Sequence, residues 1–149
     1  MAIKAAIWTH GHGVEPDRSG AWLNTIRPGW GAQFKTGGGS HWFHFHFSAP
    51  VILDGQRLKL TKAFVMFDAQ NNATVKALHI YDGPTKIFSA DNLSLVGKHS
   101  EGLDNQNTWV INPPIEMKFG LGYSVQVQFA GGGQNIPEIL FTSAGADFS

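Results

Sequence analysis

LGYSVQVQF, Leu121 to Phe129, alternates without a break: Leu121, Tyr123, Val125, Val127 and Phe129 fall on one side, Gly122, Ser124, Gln126 and Gln128 on the other. A period of two turns successive side chains to opposite faces, so the stretch is a half-buried antiparallel strand with one dry face and one wet face. The same period recurs at residues 4–10, 21–26, 32–35, 41–48, 57–68, 74–81, 86–89, 108–111 and 138–142. Gly, Asn, Asp and Pro punctuate these runs, in DAQNNAT, YDGPTK and AGGGQN, where the backbone must take turn torsions. No segment carries a helical period.

In GGGSHWFHFHF, residues 37–47, the alternation sends Phe43, Phe45 and Phe47 to one face and Trp42, His44, His46 and Ser48 to the other. AFVMF, residues 63–67, is apolar on both faces, which suits a strand in the middle of two packed layers. The chain therefore reads as all-β, an antiparallel β-sandwich of jelly-roll type forming a single domain over residues 1–149. The expected core is Phe43, Phe45, Phe47, Phe64, Met66, Tyr123, Val125, Val127, Phe129, Ile139 and Phe141.

The 149 residues are enough to bury a core without disulfides, and with no cysteine there is neither a thiolate zinc site nor a cysteine nucleophile. Eleven basic and eleven acidic side chains cancel and are scattered singly, so no basic face exists to meet nucleic acid. No apolar run reaches spanning length and the start, MAIKAAIWTHG, lacks a signal-peptide core, which predicts a cytoplasmic protein with no membrane partner. A surface poor in charge does little to keep copies apart, so a homo-oligomer is expected.

Two chemistries compete for the polar faces. His44 and His46 share one strand face about 6.5 to 7 Å apart. His10 and His12 in THGHG repeat that spacing. Together the four are candidate ligands for a divalent metal such as zinc, iron, copper, manganese or nickel, in a metal-dependent enzyme with a water-filled coordination position. No carboxylate stands at a fitting spacing, and the favoured expectation is no cofactor. The metal enzyme is therefore the alternative, and the first-ranked reading starts from five tryptophans, several beside Gly, Asn or Thr, as in SGAWLN, RPGWGAQ and NQNTW. Indole faces stack on the apolar side of a sugar ring while amides and carboxylates take its hydroxyls. Trp22, Trp30 and Trp109, with Asn107 and Asp82, are the candidate residues of a non-catalytic, lectin-like module whose partner is a glycan or a protein, or which assembles with itself. Neither TSAGA around Ser143 nor GYSVQ around Ser124 is a nucleophile elbow, and neither glycine triplet leads into a phosphate-binding lysine.

AIWTHG at residues 6–11, LHIYDG at 78–83 and NTWVINPPIEMKFGLGYSV at 107–125 resemble a family of small uncharacterised bacterial proteins, a domain of unknown function. That resemblance implies one compact domain and no particular chemistry. Gly38, His44 and His46 also resemble the opening of the cupin metal motif; the glutamate that would follow is absent, the chain running Phe47-Ser48-Ala49-Pro50-Val51.

Overall fold

The computed structural model describes residues 2–18, 22 and 24–149. Its strands are β1 (Ala5–His10), β2 (Glu15–Pro16), β3 (Asn24–Ile26), β4 (Ala32–Lys35), β5 (Gly39–His46), β6 (Ile52–Leu53), β7 (Gln56–Arg57), β8 (Lys59–Gln70), β9 (Ala73–Asp82), β10 (Thr85–Ala90), β11 (Gly97–His99), β12 (Thr108–Glu116), β13 (Leu121–Phe129) and β14 (Glu138–Phe148). Of the strand expected at 21–26, residues 21 and 23 lie outside the described residues, and pairing begins at Asn24. Among the described residues no helix is long and apolar enough to cross a membrane.

Two antiparallel sheets form a β-sandwich. The five-stranded sheet runs β10-β9-β13-β5-β2; the seven-stranded sheet runs β11-β8-β14-β4-β3, with β1 also on β14 and β12 also on β8. β14 pairs with β8 along its whole length, while β4 takes the first half of its other edge and β1 the second. Pairing of β12 to β8 is interrupted between Val110 and Ile115, across Pro113 and Pro114, which have no N–H to give a ladder.

Phe43 and Phe45 of one sheet meet Phe141 of the other at ring separations of 5.2 and 5.4 Å. Tyr123, fully buried, crosses the sandwich to donate its hydroxyl to the Gly145 carbonyl at 2.6 Å. Burial pushes its phenol well above the ordinary range. Each such ring contributes about 1.5 to 3 kcal/mol by leaving water.

The expected core holds at Phe43, Phe45, Phe47, Tyr123, Val125, Val127, Phe129, Ile139 and Phe141, all buried. It is corrected in β8, where Ala63, Val65, Phe67 and Ala69 face inward and Phe64 and Met66 face outward. Phe64 is nevertheless buried, because the Trp8 indole stacks on it at 5.2 Å and 14°. The doubly apolar run is thus covered by a side chain of the same sheet rather than by a third layer.

Candidate functional site

The outer face of the seven-stranded sheet carries a groove of about 550 Å³. A bulge in β14 between Phe141 and Ser143 resets the alternation, so that Leu140, Thr142 and Ser143 all contribute to the groove floor. Asp68 from β8, Lys98 from β11, and Glu101 form one wall; Trp30 and His10 form the other. Trp30 is 66% exposed.

Trp30 stands beside His10 because two loops approach β14 backbone to backbone. A Cβ built on Gly11 or Gly31 would collide with the Phe141 carbonyl oxygen, so only glycine permits either approach. Gly31→Ala is accordingly expected to cost about 1 to 3 kcal/mol as the Trp30 loop is pushed off the sheet. The check is the melting temperature, which for a chain of this size falls about 2 to 4 °C per kcal/mol; an unchanged Tm would mean the loop has room the geometry denies it.

Trp8 lies on the same outer face. Its strand partner is Gly145, where an added Cβ would stand 2.5 Å from the indole, so the ring lies flat on the sheet with 43% of the residue exposed. His10, two residues along β1 from Trp8, lines the groove with Trp30.

The far wall is held from behind. Asn107, completely buried, donates to the carbonyls of His99 and Gly102 at 3.1 and 2.7 Å and accepts from the Asp104 N–H at 2.8 Å. His99 presents Nδ1 to Asp104 at 2.7 Å and Nε2 to the Val96 carbonyl at 2.9 Å. Burial lowers the His99 pKa, but two acceptors satisfied together only by the imidazolium outweigh it, and the net shift is above the ordinary 6.5. Burial likewise raises the Asp104 carboxyl, while His99 and the Gln106 N–H bring it below 3.8.

A raised histidine contributes stability fully present below its unfolded pKa and lost as pH climbs through the folded one; a lowered aspartate contributes above its unfolded pKa and loses it as pH falls through the folded one. The pair therefore stabilises the wall most between about pH 4 and 6.5. Asp104→Asn is expected to lower the urea midpoint more at pH 5 than at pH 8; equal losses would show that the pair does not titrate with folding.

The sequence candidates separate sharply. Trp30 faces the groove. Trp22 is wedged against Phe34, Phe43, Phe129 and His41 at 4.7 to 5.8 Å, with Nε1 donating to the Arg18 carbonyl, and closes the edge of the core. Trp109 is partly buried against the core. Asp82, 4% exposed, accepts from the N–H groups of Lys118, Phe119 and Gly120. Trp22, Asn107 and Asp82 thus have their rings and polar atoms engaged within the scaffold, and Trp109 is half-buried against it.

The four histidines do not converge. His10 faces the groove of the seven-stranded sheet, and its Nδ1 accepts from the His12 N–H at 3.0 Å. His12 turns Nε2 to the Pro28 carbonyl at 2.5 Å. His44 and His46 lie on the five-stranded sheet. Among the described residues no three His, Asp or Glu side chains are grouped to hold a metal ion, so the expected four-histidine site is corrected to two separated pairs.

On the outer face of the five-stranded sheet, His44, Ser124 and His79 stand directly opposite one another on β5, β13 and β9. His44 bonds Ser124 Oγ through Nδ1 at 2.8 Å and Asp17 through Nε2 at 3.2 Å; His79 bonds Asp91 at 2.8 Å. The His79 hydrogen bond holds the Asp91 carboxyl below its ordinary range. Hydroxyl, imidazole and carboxylate follow the order of a nucleophilic triad, but Ser124 sits mid-strand between two partners. The strand is paired on both sides there, so the backbone N–H groups next to Ser124 serve the ladders rather than an oxyanion hole.

Sequence reasoning missed Asp68, Lys98, Glu101, Thr142 and Ser143 as groove residues. No local signal marks them, since each comes from a different part of the chain or lies beyond a bulge.

An antiparallel β-sandwich with an aromatic-walled groove on one outer sheet face and a histidine-lined face on the other is the class this chain represents. Residues 3–141 match a family of unknown function (DUF6623), and the chain belongs to that family. No curated protein matches it. Among solved structures it is similar to a xylan-binding module, CBM15, at 13% identity over 97% of each chain with a TM-score of 0.49. It is also similar to TmCBM61 in complex with β-1,4-galactotriose, at 11% identity over 93% of this chain and 86% of that one, with a TM-score of 0.45.

Proposed function

We propose that the chain is a non-catalytic carbohydrate-binding module that takes an uncharged saccharide in the groove of the seven-stranded sheet, with one sugar ring on Trp30. The observation that carries this reading is a tryptophan 66% exposed at the lip of a groove of about 550 Å³. That volume falls in the range of about 300 to 1,000 Å³ typical of small-ligand sites. Leaving such a ring in water forgoes the burial that large apolar side chains ordinarily contribute to folding, which a ligand's apolar face would restore. Around it, Asp68 and Glu101 accept from sugar hydroxyls; Thr142 and Ser143, whose hydroxyls donate to the Ser100 and Thr9 carbonyls, keep lone pairs to accept; and Lys98, paired with Glu101 at 3.1 Å, has further N–H groups to donate. Two carboxylates against one ammonium disfavour phosphates and uronates.

The experiment is isothermal titration of the folded protein with soluble hexasaccharides of glucose, xylose and galactose, followed in parallel by tryptophan fluorescence. Saturable binding of at least one, accompanied by a change in indole emission, is expected. Silence across all of them at millimolar concentration would remove the reading.

A further inference from the structure

We propose a second saccharide site on the outer face of the five-stranded sheet, centred on Trp42, so that one chain binds two glycan strands on opposite sides of the sandwich. The inference rests on the reading of the chain as a carbohydrate-binding module, but its observations are separate from those at Trp30.

Two depressions, of about 170 and 250 Å³, share Asp17 and Trp42 and form one furrow that starts on β5 and crosses β13 to β9. The first is lined also by His44, Ser124, His79 and Tyr81, the second by Arg18, Ser40 and His41. Trp42 leans on the His79 ring at 4.8 Å and 46°. The row His44, Ser124, His79 spans two strand spacings, about 10 Å.

This lining has the two things a sugar needs. Indole and phenol supply a surface for the apolar ring face, and fixed polar groups supply directed bonds to hydroxyls. The polar groups are fixed because each histidine is oriented by a carboxylate, His44 by Asp17 and His79 by Asp91. Those carboxylates are about half exposed, at 51% and 52%. An ionised carboxylate offers about four acceptor positions, so one bond to an imidazole leaves capacity for a ligand's neighbouring hydroxyls. In charge, Asp17 and Asp91 stand against Arg18, which disfavours an anionic ligand and matches a neutral one.

Opposition of the sites follows from the sandwich. The Trp30 groove and the Trp42 furrow lie on the outward faces of two sheets packed about 10 Å apart, so they point in opposite directions. One polysaccharide strand lying on one face does not reach the other, and bivalent binding therefore bridges strands.

The test is titration with the same hexasaccharides, together with turbidity of the corresponding soluble polysaccharides after addition of protein; protein alone supplies the turbidity baseline. Wild type is expected to bind two oligosaccharides per chain and to cross-link the polymer. Trp42→Ala is expected to bind one and lose cross-linking. Since Trp42 is half-buried and its truncation can unsettle the sheet, Asp17→Ala, an exposed change, is the second variant, expected to weaken one of the two sites about tenfold, or 1.4 kcal/mol. A wild-type stoichiometry of one, removed by Trp30→Ala and untouched by Trp42→Ala and Asp17→Ala, would overturn this inference and leave the proposed function standing. A single site removed by Trp42→Ala and untouched by Trp30→Ala would likewise overturn two-strand binding, and would move the one saccharide site from the groove to the furrow. Absence of all binding by folded wild type would overturn both.

Discussion

Trp30→Ala is expected to weaken saccharide binding in the groove by about 30-fold or more while shifting folding stability by no more than about 0.5 kcal/mol. The two halves of this expectation share one cause. The residue is 66% exposed, so the fold gains little from its side chain and loses little when it goes. A ligand ring that covers it converts that exposed face into a desolvated contact, and aromatic anchors of this kind each carry about 2 kcal/mol or more of binding, equivalent to the stated factor. Trp30→Phe keeps a smaller platform and should fall between wild type and alanine. Dissociation constants from titration and urea midpoints from fluorescence read the two halves independently. An unchanged affinity would move the site away from Trp30, and a large loss of stability would mean that the ring belongs to the scaffold.

Asp82→Ala is expected to cost about 3 to 5 kcal/mol of stability with no direct effect on the Trp30 groove or the Trp42 furrow. Its Oδ2 accepts from the Lys118 N–H at 2.8 Å, and its Oδ1 accepts from Phe119 and Gly120 at 2.8 and 3.0 Å. These bonds shape the turn that delivers the chain from β12 into β13, where Leu121 pairs with Asp82 itself. Hydrogen bonds to a charged group are worth about 1.5 to 3 kcal/mol each, and water entering the half-open turn recovers part of the loss. Asp82→Asn should cost less, since its single amide oxygen still accepts, while its NH₂ meets a backbone donor.

The pH dependence has a definite sign. Burial raises the Asp82 carboxyl, but the three N–H groups and Lys118 bring it below 3.8. Its contribution is present above the unfolded value and is lost as pH falls through the lower folded one. Wild type should thus lose its advantage over Asp82→Ala as the pH drops from about 4 toward 2, and denaturant titrations at pH 7 and pH 3 check this. A constant difference between the two proteins would show that the carboxylate is not the group holding the turn.

The alternation of Leu121 to Phe129 and of Phe43, Phe45 and Phe47 determined the strands, the antiparallel sandwich and most of the core, because side-chain direction along a strand is a local property with a period of two. The exposure of Trp30 was legible for a related local reason: it sits between glycines in a Pro-containing turn, outside any apolar run. Tertiary structure decided the phase of β8, since AFVMF reads equally well facing either way until Trp8 covers Phe64 across Gly145. It also decided that Asp82 and Asn107 hold turns from within, because a carboxylate or amide looks the same in sequence whether it meets a hydroxyl or a backbone N–H. His10 and His44, matched by spacing, went to opposite sheets, a separation set by pairing partners more than a hundred residues away in the case of β1 with β14. The groove itself depends on the β14 bulge and on Gly11 and Gly31 meeting the Phe141 carbonyl. Such register shifts and close backbone approaches are long-range contacts, formed between segments whose own local preferences contain no record of one another.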